Sequence, residues 1–299
     1  MKANILTILA LLILLAACEV YNQDTYEEYY VVESYLVANR QLPQVRVSTT
    51  APIDDLYAFS RFAVADAEVQ IRLLNENGTD IDEVFTYASD TAGIFQPVDA
   101  HNVLPARSYQ LYVNVPSSAA EITATTIVPD TFKVISTVLD TLVYQSTEQL
   151  EITVSESTYP GRQNVFIFNT LALEPSLENL TPVYADLFFD DDEEMDLSEL
   201  TNTSSGLLNA ANFTINQDQS ITIRYPWIAV AFYGDNKLVA TTVDDNVYDF
   251  VRSESVQLGG STLSPGEIQN AITHVEGGLG IFGSLASDTI QTHIKRMEF

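Results

Sequence analysis

A single cysteine, Cys18, stands in a chain of 299 residues that also carries 41 acidic side chains and three histidines. A lone thiol can act as a nucleophile, a metal ligand or a point of covalent attachment. The densest acidic run, "DLFFDDDEEMDLSEL", supplies Asp190, Asp191, Asp192, Glu193, Glu194 and Asp196. Calcium takes about six to eight oxygens, and an EF-hand loop spaces its carboxylates by alternate residues around a central glycine. This run has neither feature, so a solvated loop accounts for it, with Leu187, Phe188 and Phe189 pinning its base in a core. A loose calcium site or an acidic face toward a partner are the other readings. Gly278, Gly280 and Gly283 match G-x-G-x-x-G, but too few residues follow to complete the βαβ unit that a dinucleotide needs. They read instead as glycines in a strand that another backbone approaches closely. His101, His274 and His293 stand singly, without metal-ligand spacing. The chain has no G-x-S-x-G elbow and no H-E-x-x-H motif. A glycosidase pair is defined by separation in space, so abundant carboxylates name no pair. No catalytic residue and no cofactor is expected, and the chain does not read as an enzyme.

The surroundings of Cys18 favour attachment. Lys2 gives a positive start, Ile5 to Leu15 is a nearly unbroken apolar run, and small residues close it, as in a secretory signal. The run is shorter than the roughly 20 apolar residues of a spanning helix. Leu15, Ala16, Ala17 and Cys18 resemble the lipobox of bacterial lipoproteins. That resemblance implies cleavage before Cys18, diacylglycerol on its sulfur and acylation of the new amino group. More than one acyl chain, at ~0.8 kcal/mol per buried methylene, makes the anchor stable.

The formal net charge is −28, and removing residues 1–17 takes away only Lys2, which gives −28 − 1 = −29. Nucleic-acid binding needs a basic footprint and is excluded as an expectation. With one cysteine, no intrachain disulfide can form, and the fold must be held by its cores.

The elements expected to carry these residues are strands. "EVYNQDTYEE" lacks an apolar face and reads as a tether over residues 18–28, able to reach ~33 Å when extended. Period-two alternation follows at "YYVVESYLVA", "QVRVSTT", "AEVQIRLLN", "DEVFTYAS", "GIFQPV", "SYQLYVNV" and "AEITATTIV". Asn77-Gly78 signals a hairpin with positive φ at both positions. This pattern predicts an antiparallel sandwich over residues 29–129, with a boundary at Pro129-Asp130. A second β-rich domain over residues 130–299 continues the alternation at "FKVISTVL", "QLEITVSES", "NVFIFNTLAL", "SITIRYPWIAVAFYG" and "KLVATTV". One or two short helices are expected, at "DDNVYDFVRS" behind Asp244 and Asp245 as caps, and at Ser264-Pro265. Trp227, flanked by apolar alternation, reads as a core anchor. Tyr21, Tyr26, Tyr29 and Tyr30 cluster where the tether meets the first strand, as on contact surfaces.

The lipobox, "YYVVESYLVANRQLPQVRVSTTAPI", "ATTIVPDTFKVIST" and "HVEGGLGIFGS" together resemble a family of Bacteroidetes-type surface lipoproteins known only as a domain of unknown function. The similarity covers essentially the whole mature chain. It implies a transthyretin-like or immunoglobulin-like sandwich followed by a second β-rich domain, and association with TonB-dependent, SusC/SusD-like receptors of the outer membrane. Glu19 and the acidic tether resemble a surface-export signal. Thr91, Thr141 and Thr289, each after an aspartate, look like short O-glycosylation motifs of such bacteria. The expectation is a non-enzymatic outer-membrane lipoprotein facing the cell exterior, a binding or accessory module beside an uptake receptor, with a glycan or peptide as ligand. The alternatives are a lipid-anchored glycan-binding or glycan-cleaving protein, and an envelope adhesin or assembly factor.

Overall fold

The structure, a computed structural model, describes residues 26–135, 141–190, 196–257 and 271–297. Leu15, Ala16, Ala17, Cys18, Tyr21, most of the tether, Asp191, Asp192, Glu193, Glu194 and the expected helix start at Ser264-Pro265 lie outside the described residues.

The fold is mainly β. The first half supplies β1 (Tyr30–Val37), β2 (Val45–Thr49), the one-turn helix α1 (Phe59–Phe62), β3 (Glu68–Leu74), β4 (Ile81–Thr91), β5 (Ile94–Pro97), β6 (Ser108–Val115) and β7 (Ala120–Ile127). Then come β8 (Val134–Ile135), β9 (Thr141–Val143), β10 (Glu151–Val154), β11 (Val165–Ala172), α2 (Pro182–Asp190), β12 (Asn202–Ser204), β13 (Leu208–Asn209), β14 (Thr214–Ile215) and β15 (Ile221–Arg224). The chain closes with β16 (Gly234–Val243), α3 (Asp245–Gln257), β17 (Val275–Glu276) and β18 (Leu279–Lys295).

One large sheet runs β12-β11-β16-β18-β1-β2-β5-β4-β3-β6-β7-β17, with β13 beside β11 and β9 beside β18. A smaller sheet runs β14-β15-β10-β8. The alternation read from the sequence is real: Tyr109, Leu111, Val113 and Val115 of β6 all point into the core, as do Val32 and Leu36 of β1. The long β4 pairs with β3 through Ile81 to Thr86 and with β5 from Tyr87 onward, turning the sheet into a second layer, so that β7 packs against β18.

The large sheet is mixed, because β1 and β18 run parallel from Val31↔Leu279 to Val37↔Leu285. Parallel neighbours need a long connection, and here almost the whole chain provides it. The position expected as a domain boundary lies between β7 and β8, and β18 is hydrogen-bonded both to β16 and to β1. One buried cluster contains Val32, Leu111 and Val128 together with Ile152, Phe166 and Leu238.

Three local expectations change. At Asn77-Gly78 only Gly78 has positive φ (71°), because Asn75 Oδ1 accepts from Thr79 N at 3.0 Å and spreads the turn over more residues. The run "SITIRYPWIAVAFYG" is a strand only to Arg224, since Pro226 cannot donate to a ladder and a 3-10 turn follows at Trp227–Ala229. The acidic run starts on a helix: Pro182, at the first helical position where no N–H is needed, opens α2, which continues to Asp190. Leu187 is exposed there, while Phe188 packs beside buried Leu180 and Phe232.

Candidate functional site

The glycine-rich tail shows why it is glycine-rich. Gly280 has φ +106°, and a Cβ there would fall on the Val32 carbonyl oxygen of β1. A Cβ on Gly277 would meet the Glu121 carbonyl oxygen, and one on Gly283 would meet Val247 of α3. These glycines admit neighbouring backbones and a helix face, which is a packing role.

Beside Gly283 lies a buried polar junction. Asp244, 1 % exposed, caps α3: its Oδ1 accepts from Val247 N at 2.8 Å, and its own N–H donates to Ser284 O at 3.0 Å. Its Oδ2 touches Thr126 Oγ1 of β7. Thr126 Oγ1 lies 2.5 Å from Ser284 Oγ, which donates to Ile127 O at 3.0 Å. Thr126 and Ser284 have two hydroxyl protons for three contacts, so all three are served only below the carboxyl's titration, when Asp244 carries a proton of its own. Burial pushes the Asp244 carboxyl up to about 6, against the pull of its hydrogen bonds. Asn246 adds two donations, to Thr125 O at 2.8 Å and to Phe282 O at 2.7 Å. The junction therefore ties β7, α3 and β18 together with its groups partnered.

A different arrangement occurs where the large sheet meets the small one. A cleft of about 360 Å³ is walled by Phe168 of β11, Phe213, and Ile223 of β15 with Tyr225, and is roofed by Tyr184 of α2 and the turn at Pro226 to Ala229. Phe168 meets Phe213 and Tyr225 edge-on, with centroids 5.9 and 6.0 Å apart. Hydroxyls of Thr203, Ser204 and Ser205 line one side, and Arg224, 76 % exposed, stands at the rim paired to Glu151 at 2.5 Å. Tyr225 is buried, burial pushes its phenol up, and its hydroxyl has no hydrogen-bond partner. Among the described residues, no carboxylate, histidine or cysteine lines this cleft. It offers aromatic surface and neutral hydrogen-bonding groups, which suits holding a ligand.

A second cavity of about 280 Å³ lies by Tyr159, Arg162 and Asn164. Its cation is already engaged: Arg162 pairs with Asp245 at 2.5 Å, donates to Val243 O at 2.9 Å and lies over the Tyr159 ring.

The histidines are scattered. His101 lies tilted against Phe85, with ring centroids 4.1 Å apart, and its Nε2 meets Tyr109 Oη at 2.9 Å, with burial lowering its pKa. His274 pairs with Asp249 and His293 with Asp235. Among the described residues, no group of three or more His, Cys, Asp or Glu could hold a metal. Thr91 ends β4 exposed, Thr141 starts β9 half-buried, and Thr289 is exposed within β18. Trp227 packs half-buried against Tyr144, at 5.2 Å. No helix among the described residues is long and apolar enough to cross a membrane. Sequence reading missed the cleft, whose walls come from separated segments. Its one local signal was Pro226, which breaks the strand and lets the turn fold over the aromatics.

A family model described as "Domain of unknown function (DUF4249)" matches residues 19–291. No curated protein matches the chain. Solved structures similar to it include the three N-terminal domains of the bacteriophage RB49 highly immunogenic outer capsid protein (Hoc). That match has 11% identity over 91% of this chain and 71% of that one, with a TM-score of 0.23. Salmonella alpha-2-macroglobulin reacted with methylamine matches at 7% identity over 90% of this chain and 15% of that one, with a TM-score of 0.24. The FN1-FN3 domains of chicken CNTN1 match at 13% identity over 71% of this chain and 57% of that one, with a TM-score of 0.19.

Proposed function

The chain belongs to the DUF4249 family, a domain of unknown function, and from that premise we propose that it is a lipid-anchored envelope protein that binds a ligand without transforming it. The observation that carries the binding role is the aromatic cleft, edged by the Thr203, Ser204 and Ser205 hydroxyls and with no carboxylate, histidine or cysteine in its described wall. The anchor is supported by Leu15, Ala16, Ala17 and Cys18 at the end of an apolar signal. Glu19 and the acidic tether support export to the outer membrane and its outer face. A ligand that suits the cleft has a flat or apolar part and hydrogen-bonding groups, as glycans and peptides do. An accessory place beside a TonB-dependent receptor is part of this proposal and is supported by the sequence resemblance to surface lipoproteins.

Four measurements test it. Cys18→Ala is expected to move the protein from the detergent phase to the aqueous phase; unchanged partitioning refutes the anchor. Titration of the protein with a panel of glycans and peptides is expected to give a binder that Phe213→Ala weakens by tenfold or more. Turnover of any panel member would overturn the non-enzymatic assignment. Recovery of no receptor with affinity-captured protein from solubilised outer membranes would remove the accessory role.

A further inference from the structure

The two most exposed large aliphatic side chains among the described residues, Ile53 at 91 % and Leu56 at 85 %, sit three positions apart in the loop between β2 and α1. The loop is shaped rather than loose in its bonding. Asp55 N donates to Pro52 O at 3.0 Å, Arg61 Nη1 donates to Leu56 O at 3.3 Å, and Tyr57 stacks on Phe62 with centroids 5.6 Å apart. Two large aliphatics this exposed within one bonded loop offer apolar surface for contact.

The described chain begins at the foot of this loop. Tyr26 Oη donates to Thr50 O at 2.6 Å, and Tyr29 N donates to Thr50 Oγ1 at 3.1 Å, so the start of the chain is fastened one residue before the loop opens. Seven residues lie between Cys18 and Tyr26, so the two are at most about 28 Å apart when the chain is extended. Tyr26 and Tyr29, fastened at Thr50, and Tyr57, next to Leu56 in the chain, are each about half exposed. Tyrosines, with an apolar ring and a wet hydroxyl, suit the boundary between headgroups and acyl chains.

We propose that Ile53 and Leu56 insert into the lipid surface beside the anchor, so that the protein meets the bilayer at two points and is held in one orientation. This inference rests on the lipidation of Cys18. Asp55 is balanced by Arg61 at 3.5 Å, but Asp54 and the strong overall acidity favour a zwitterionic lipid surface over an anionic one.

The test uses the full lipidated protein in vesicles of phosphatidylcholine and phosphatidylethanolamine. Lipidation makes the Cys18 sulfur a thioether, so Leu56→Cys or Ile53→Cys supplies a unique thiol for an environment-sensitive fluorophore. A third protein carries it at Gln217, in the turn between β14 and β15. The expected result is flotation of all three with the vesicles and quenching by acyl-brominated lipid several-fold greater at Leu56 and Ile53 than at Gln217. Flotation with equal, weak quenching at all positions leaves the anchor standing, overturns the insertion and assigns the loop to a protein partner. Failure to float removes the anchor and this inference with it.

Discussion

The Asp244 junction and the Tyr225 cleft are both places where sheet layers meet and polar atoms go under cover. At the junction, Asp244, Thr126, Ser284 and Asn246 use one another and nearby carbonyls. At the cleft, the aromatic walls leave open space, and the Tyr225 hydroxyl is buried without a partner. A buried polar group costs about 1–3 kcal/mol when unpaired and little when paired. The junction is therefore a device that holds β7, α3 and β18 in register. The cleft is a place where open aromatic space adjoins a buried hydroxyl whose cost the fold leaves uncompensated.

Four changes break or sharpen this contrast. The largest effect is expected from Gly280→Ala, which forces a side chain against Val32 at positive φ. A loss of about 3 kcal/mol or more is expected in urea unfolding, because the β1–β18 pairing that presents Ser284 to the junction is displaced. Next comes the pH response. The Asp244 carboxyl is raised from 3.8 to about 6 in the folded chain, so between those values the folded state binds the extra proton. Stability from this group is complete below the lower value and is lost as pH rises through the upper one, by about 3 kcal/mol. Asp244→Asn places an amide donor where the carboxyl O–H stands and removes the titration. Comparing the two proteins' unfolding free energies from pH 4 to pH 7 isolates the effect, and a constant difference across that range rules it out. Thr126→Val, which keeps the shape and removes the hydroxyl, is expected to cost about 1–3 kcal/mol in thermal or urea unfolding. Smallest, and of opposite sign, is Tyr225→Phe. Removing an unpartnered hydroxyl leaves ligand-free stability unchanged or raised by up to about 1 kcal/mol. A loss larger than that of Thr126→Val would reverse the comparison.

The strands were legible because alternation in runs such as "SYQLYVNV" reflects a period that burial enforces locally. Helix α3 was legible for the same reason, with Asp244 as its cap and Val247, Phe250 and Val251 on its packed side. The partner of a strand is a different matter, because nothing in the apolar pattern of β1 says that its neighbour is β18. The glycines of the tail announced a close approach without saying that Val32, Glu121 and Val247 are what approaches. Helix α2 was hidden because the acidic residues after it drew the reading toward a loop, although Thr181-Pro182 is a helix opening. Asp244 was read as a cap, and its contact with Thr126, 118 residues away, has no local signature. The cleft is assembled from β11, α2, the segment at Thr203 to Phe213 and the turn after Pro226, and no spacing rule joins these.

The parallel pairing of β1 with β18 also dictates an order of events. Val31 and Leu279 are neighbours in the sheet but stand at opposite ends of the chain, so their pairing must close nearly the longest loop that the sequence allows. Contacts this distant slow folding, and β1 waits with one unpaired edge until β18 has been synthesised. A chain threaded amino terminus first cannot complete its central sheet on the way. It must remain unfinished until its carboxyl end arrives, and in that interval its exposed strand edge needs protection from other chains.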